Sequence, residues 1–168
     1  KNRFLWLLIL MLSSTITGTI ITQYENAFAA IPLLVSFIPM LMDTGGNCGS
    51  QSSTLIIRGI ALGEIQFSDL FRVMFKEFRV SLIVGVALAL ANGIRILIMY
   101  KNAGLALVIG LSLVATIVIS KLIGCVLPLI AKKLHMDPAI MASPLITTLV
   151  DTCSILIYFN IATQVFQL

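Results

Sequence analysis

The chain has 168 residues, of which 59% are hydrophobic and only 11% are charged. A soluble domain carries roughly 25% charged residues because most of its surface faces water, so this composition argues against an ordinary soluble protein. It indicates a surface that faces lipid. The net charge of +4 does not indicate nucleic-acid binding, since the basic residues lie mostly at the ends of apolar stretches, as membrane anchors do.

Five apolar stretches follow one another along the chain and predict membrane spans at about 4–22, 27–57, 79–99, 104–130 and 138–165. Each uninterrupted stretch has the roughly 20 residues that cross a hydrocarbon core of about 30 Å. Backbone polar groups in lipid must bond to one another, so helices are expected, and no alternating barrel pattern is present. The sequence therefore predicts an all-α membrane protein, a single transmembrane domain over 1–168 with five transmembrane helices.

The second predicted span is interrupted by a polar segment that contains Gly45, Gly46 and Gly49. We expect the helix to be broken or loosened there, because irregular backbone at membrane depth is tolerated where it lines a cavity, and glycine lets a hydrated ion approach closely. An ordinary cytoplasmic loop is the alternative. If the helix instead continues, one face carries polar residues at spacings of four, four and three: Asp43, Asn47, Gln51 and Thr54.

Residues 64–78 alternate charged side chains with aromatic and aliphatic ones, and Phe71, Phe75 and Phe78 recur at helical spacing. This pattern is typical of an amphipathic helix on a membrane surface. The sequence therefore predicts a short interfacial helix at about 68–78, before the third span.

Asp151 lies near the middle of the fifth predicted span. A carboxylate at that depth costs about 2.5–3.5 kcal/mol on insertion scales, so it implies a polar partner, a water-filled cavity or a bound cation. The alternatives are a structural carboxylate that pairs with Lys121 or Arg95, and a protonated acid that bonds to a neighbouring helix. Magnesium suits such a site because it keeps its water and binds through one or two carboxylates. A homodimer would double one acid per chain into a pair about its two-fold axis.

The distribution of the eleven basic residues predicts the orientation of the chain. Lys121 lies inside a span. Arg95 and Lys101 fall on one side of the membrane, and the remaining eight fall on the other side, with the N-terminus. Because cytoplasmic loops are enriched in Lys and Arg, we expect the N-terminus to be cytoplasmic and the C-terminus to be outside.

Three motifs resemble the signature of the MgtE magnesium transporter family. They are PMLMDTGGNCGSQ at 39–51, RGIALGEI at 58–65, and SPLITTLVD at 143–151 after Asp137. The resemblance covers the whole chain, including the number of spans. It implies a homodimeric Mg²⁺ channel in the bacterial plasma membrane, with a pore at the dimer interface lined chiefly by the second and fifth helices.

The resemblance also implies roles for individual residues. Asp151 would hold the hydrated ion, and Asp43 is a secondary metal candidate. The remaining pore-lining candidates are Gly45, Gly46, Asn47, Ser143, Thr147 and Thr148. The implied partners are a second copy of the chain and the lipid bilayer. Mg²⁺ is the implied cargo, and Mn²⁺ and Co²⁺ are further candidates.

Family members carry cytoplasmic N-terminal and CBS domains that sense magnesium, and this chain begins at Lys1 without them. We therefore expect a fragment that keeps the permeation path and conducts without normal feedback inhibition. The sequence contains no nucleophile–base arrangement, so an enzyme is not expected. Two alternatives remain open: a proton- or sodium-coupled divalent-cation carrier, and a membrane scaffold whose polar stripes join helices.

Overall fold

The computed structural model describes residues 2–135, 137 and 143–167, and the regular structure of these residues is entirely helical. The prediction of an all-α chain is confirmed for this part of the protein. Six α-helices and two short 3₁₀ helices follow in order: α1 Asn2–Gln23, α2 Glu25–Ala30, 3₁₀ Pro32–Phe37, α3 Ile38–Ala61, 3₁₀ Phe67–Asp69, α4 Leu70–Tyr100, α5 Ala103–Lys133 and α6 Ser143–Phe166.

Within the described residues, three helical segments are long and apolar enough to cross a membrane: Phe67–Tyr100, Ala103–Lys133 and Pro144–Phe166. They correspond to the last three predicted spans. Helices α1 and α3 have 22 and 24 residues, which is about 33–36 Å at 1.5 Å per residue. Their lengths suit a crossing, and the count of five spans stays a prediction.

Helix α5 lies at the centre of the fold. Helix α4 packs along it, α3 and α6 pack against it and against each other, and α1 packs against α6. The apolar core lies between these helices, where Leu41 of α3, Ile109 of α5 and Phe159 of α6 are fully buried in one cluster. A smaller cluster around Ile56 and Leu129 fills the other end of the α3–α5 contact.

The predicted break of the second span at its glycines is wrong, because α3 is continuous from Ile38 to Ala61. The irregular backbone lies before it, in the 3₁₀ helix Pro32–Phe37. Pro32 has no backbone N–H to continue a preceding helix and favours a helix start. The carbonyl of Leu34 in this segment accepts a hydrogen bond of 2.8 Å from the buried hydroxyl of Tyr158.

The glycines of α3 allow helices to pack closely. A Cβ atom at Gly45 would lie 2.7 Å from Cγ2 of Thr116 in α5 and 2.8 Å from Cγ1 of Val150 in α6. A Cβ at Gly124 of α5 would collide with the carbonyl oxygen of Gly49. Small residues at such positions let the backbones of membrane helices touch. The glycines therefore allow α3 to pack closely against α5 and α6, and they do not interrupt the helix.

The predicted separate interfacial helix at 68–78 is also wrong, because Leu70–Tyr100 is one helix of 31 residues. The 3₁₀ helix Phe67–Asp69 leads directly into it and is capped at its own start, where the backbone N–H of Gln66 donates to Oδ2 of Asp69 at 2.9 Å. No proline follows before its end. Nothing in the sequence therefore forces a break between the amphipathic turns and the apolar span.

A buried polar triad joins α3, α4 and α5. Nζ of Lys121 lies 3.3 Å from Oε2 of Glu77, and both side chains are at least nine-tenths buried. The hydroxyl of Ser52 donates to the same carboxylate oxygen at 2.7 Å and accepts from Lys121 at 3.3 Å. The pairing of Lys121 with an acid satisfies a charge that would otherwise be isolated in the core.

Replacing Gly124 with Ala is expected to lower the free energy of unfolding by about 1–3 kcal/mol, the usual cost of overpacking. The reason is that the added methyl collides with the backbone of α3. Gly18→Ala is the matched control, because no atom lies within 4 Å of a Cβ built there. Denaturation in mild detergent measures both variants, and equal stability would contradict the contact.

Replacing Glu77 with Gln is expected to cost about 3–5 kcal/mol of stability, because Lys121 is left as an uncompensated buried charge. The double variant Glu77→Gln with Lys121→Met removes both charges and is expected to lose less than the single variant. The same denaturation measurement forms a double-mutant cycle. Glu64→Gln, at an exposed carboxylate, is the control. Additive losses would show that the pair is not coupled.

A candidate cation groove between α3 and α6

Because α3 is continuous, four of its polar residues share one exposed face. Asp43, Asn47, Gln51 and Thr54 are all exposed, at spacings of four, four and three, which place them on one side of the helix. The glycines Gly45 and Gly49 occupy the opposite side and are buried. One face of α3 therefore packs against the protein, and the other presents polar atoms away from it.

The polar face of α3 meets α6 at a cavity of about 450 Å³, which is lined by carboxylates from both helices. We call this cavity the acidic groove. Its lining residues are Ile38, Pro39, Met42, Asp43, Gly46, Asn47, Thr147 and Asp151. A second cavity of about 470 Å³ begins at the shared residue Asn47 and extends along α3 past Gln51 to Thr54. The two cavities form a polar tract along the exposed side of α3.

The structure brings together five of the eight predicted site residues at the acidic groove: Asp43, Gly46, Asn47, Thr147 and Asp151. Gly45 is buried against Thr116 and Val150 and does not line it. Thr148 does not line it either, and its hydroxyl donates to the carbonyl of Pro144 at 2.8 Å. The side chain of Ser143 lies outside the described residues.

The floor of the groove is a close contact between α3 and α6. A Cβ atom at Gly46 would lie 3.0 Å from Cγ2 of Thr147. The hydroxyl of Thr147 donates to the carbonyl of Pro144 at 2.9 Å, which leaves the lone pairs of its oxygen as acceptors for water or a hydrated cation. Further along α6, Ser154 and Tyr158 are buried. On α6 the groove therefore includes the polar residues Thr147 and Asp151 and not the polar residues further along the helix.

The described part of the chain supplies no basic partner for Asp151. The ammonium group of Lys121 pairs with Glu77. The guanidinium Nε of Arg95 donates to Oδ1 of Asn92 at 2.9 Å. The structural alternative, in which Asp151 pairs with Lys121 or Arg95, is therefore contradicted.

Two carboxylates in one groove repel each other, and a divalent cation between them would remove that repulsion. Among the described residues, no group of three or more His, Cys, Asp or Glu side chains could hold a metal ion. Two carboxylates are a number of protein ligands that is compatible with Mg²⁺, which usually keeps several of its waters and is held through one or two carboxylates.

Sequence reasoning missed Glu77 and Ser52 as structural polar residues. Glu77 was assigned to the exposed amphipathic segment, whereas it lies on the buried face of α4 with Ser81 and Gly85. The available signal was its spacing: these three residues recur every fourth position and mark one face of small residues with a single charge.

Comparison with known proteins gives consistent matches. The model of the MgtE family, described as a divalent cation transporter, matches residues 38–161. The magnesium transporter MgtE of Bacillus subtilis (strain 168) is 40% identical over 162 residues, which are 96% of this chain and 36% of that protein. The magnesium transporter MgtE of Thermus thermophilus is 37% identical over 161 residues, which are 95% of this chain and 35% of that protein.

A third relative, the magnesium transporter MgtE of Enterococcus faecalis, is 34% identical over 164 residues, which are 98% of this chain and 36% of that protein. The chain thus spans about a third of the length of the curated relatives it matches. The region that the family model matches includes α3 and α6 as far as residue 161, and with them the residues of the acidic groove.

Proposed function

This chain belongs to the MgtE family of divalent cation transporters, and on that premise we propose that it forms the membrane-spanning part of a homodimeric magnesium channel. The observation that carries the proposal is the acidic groove, where carboxylates from two helices line one cavity and neither is paired with a cation in the described part of the chain. Intramembrane acids without a protein counter-charge mark ion pathways.

The exposed polar face of α3 supports the homodimer. Asp43, Asn47 and Gln51 are exposed in the single chain, although a face of this kind is poorly suited to lipid. A second copy related by a two-fold axis would cover the face, and each groove residue would meet its own counterpart across that axis. Two carboxylates per chain would become four around one pore.

Within that pore, Mg²⁺ would pass with most of its first water shell. The carboxylates of Asp43 and Asp151 would accept hydrogen bonds from the bound water, and Asn47 and Thr147 would offer further oxygen atoms. Weak contacts through water allow the ion to leave as well as to enter, which conduction requires. In the proposed channel the chain crosses the membrane five times, through α1, α3, α4, α5 and α6, and its N-terminus is cytoplasmic.

Replacing Asp151 with Asn is expected to slow Mg²⁺ uptake into proteoliposomes on the order of tenfold or more, which corresponds to about 1.4 kcal/mol of lost stabilisation along the path. The substitution removes the charge and keeps the side-chain shape. Asp43→Asn is expected to have a smaller effect, because its side chain is more exposed. Glu25→Gln, an exposed carboxylate outside the groove, is the matched control.

Unchanged uptake by the Asp151→Asn protein, with the dimer intact, would remove the role assigned to this carboxylate. Electrical recording on the same protein tests the alternative of a coupled carrier. A channel passes Mg²⁺ current down the gradient of Mg²⁺ alone. Flux that requires a proton or sodium gradient would favour the carrier.

Chemical crosslinking tests the position of the dimer axis. In a background without the native cysteines Cys48, Cys125 and Cys153, Asn47→Cys is expected to give a covalent dimer with a short bismaleimide. The reason is that the groove faces its counterpart in the proposed dimer. Ile94→Cys on α4 is the control, since its side chain is 59% exposed and lies away from the groove. A dimer formed equally at both positions would contradict the proposed interface.

A further inference from the structure

Three basic side chains lie on one face at the start of α4. Arg72, Lys76 and Arg79 are exposed, and their spacings of four and three place them together. No carboxylate of the described residues lies within ion-pair distance of any of them. Together with Phe75, Val80 and Ile83 they line a cavity of about 330 Å³. The cavity therefore combines positive charge with an apolar wall.

An apolar groove runs between α4 and α5 further along the same helices. Its volume is about 330 Å³, and its lining includes Val86, Leu90 and Gly93 of α4 and Gly110 of α5. A Cβ atom at Gly93 would have no atom within 4 Å, so the missing side chain leaves open space. The rim of the groove is exposed, with Leu90 at 63%.

The basic cavity and the apolar groove are successive parts of one stripe on α4. Its positions recur at spacings of four, three, four, three and four, which keep one helical face in line: Arg72, Lys76, Arg79, Ile83, Val86 and Leu90. From Arg79 to Val86 the helix rises about 10 Å. A single elongated ligand can therefore touch both parts.

We propose that this face of α4 binds one anionic phospholipid. The headgroup phosphate lies against Arg72, Lys76 and Arg79, and an acyl chain lies in the apolar groove beyond Ile83. The guanidinium groups of Arg form paired hydrogen bonds to phosphate oxygens. Basic residues at the end of a membrane span attract anionic headgroups. The site does not depend on ion transport and lies on a different helix from the acidic groove.

The combination of the two surfaces selects a lipid over a soluble anion. Inorganic phosphate would use the three cations and leave the apolar groove empty. A phospholipid carries its charged headgroup at one end and its acyl chains at the other. The stripe on α4 has its basic part and its apolar part in the same order. The charge of the cavity selects an anionic headgroup over a zwitterionic one.

Fluorescence quenching by brominated lipids tests the site without any measurement of flux. The reporter protein carries Trp6→Phe and Leu82→Trp, so the single tryptophan lies beside the stripe but not in its lining. The protein is reconstituted in vesicles that contain brominated phosphatidylglycerol or brominated phosphatidylcholine. From the quenching we expect the affinity beside residue 82 to be higher for phosphatidylglycerol than for phosphatidylcholine by about fivefold or more. A fivefold ratio is the effect of about one basic side chain near an anionic headgroup.

The charged half of the site is tested by Arg72→Gln with Arg79→Gln, which is expected to reduce that preference severalfold, because two of the three cations are lost and Lys76 alone remains. Both positions are exposed and Gln keeps a high helix propensity, so the helix is retained. Lys132→Gln with Lys133→Gln is the matched control. It removes the same charge from the exposed last turn of α5 and is expected to keep the preference.

The apolar half is tested by Gly93→Leu, which fills the groove. It is expected to lower the affinity for phosphatidylglycerol by about fivefold, the value of burying one or two methylene groups. Gly18→Leu is the control, since its Cβ position is equally open. Equal quenching by both lipids in the parent protein would overturn the proposal. So would an equal loss in the Lys132 and Lys133 control, or displacement of the lipid by inorganic phosphate.

Discussion

The arrangement of the helices depends on the contact between Gly49 of α3 and Gly124 of α5, where no side chain separates the two backbones. Because α3 is held so closely on its glycine face, its opposite face must point away from α5. That opposite face carries Asp43 and Asn47. Helix α6 packs on the same edge through Gly46 and Thr147. The meeting of Asp43 with Asp151 in one groove is thus a consequence of small residues on the far side of α3.

The interior charges of the fold have very different environments. Glu77 and Lys121 neutralise each other in the core, and Ser52 bonds to both. A buried charge without such compensation is strongly unfavourable. Lys121 is the only buried lysine among the described residues, and because it is used in this pair it does not neutralise the carboxylates of the acidic groove. These carboxylates therefore have no basic partner in the described part of the chain, and a hydrated divalent cation is the counter-charge that we propose for them.

The sequence predicted the last three helices closely because each contains a run of about 20 apolar residues, which leaves few other possibilities in a membrane chain. It also predicted the polar face of α3, on the condition that this helix continues. The break at the glycines was predicted wrongly because glycine serves both irregular backbone and close helix contact. The sequence does not say which applies, since the answer depends on Gly124, which is 75 positions beyond Gly49 in the chain.

Glu77 was missed for a similar reason. Its neighbours Lys76 and Arg79 are exposed, so the local pattern describes a surface helix, and the partner Lys121 lies 44 residues further along the chain. The assignment of Asp43, Asn47 and Asp151 to one site came from their motifs and spacing. The location of Gly45 and Thr148 away from the groove could not follow from those motifs, because neighbouring residues on a helix point in different directions.

The continuity of α4 links the buried triad to the outer surface. A separate interfacial helix at 68–78 would turn its axis away from the span and would withdraw Glu77 from Lys121. The ion pair therefore favours one continuous helix, because breaking the pair would leave two uncompensated charges in the core. In that continuous helix Glu77, Ser81 and Gly85 are buried, and the basic residues at 72, 76 and 79 are exposed. They are then aligned with the apolar groove further along α4, so the internal ion pair favours the alignment that the proposed lipid site requires.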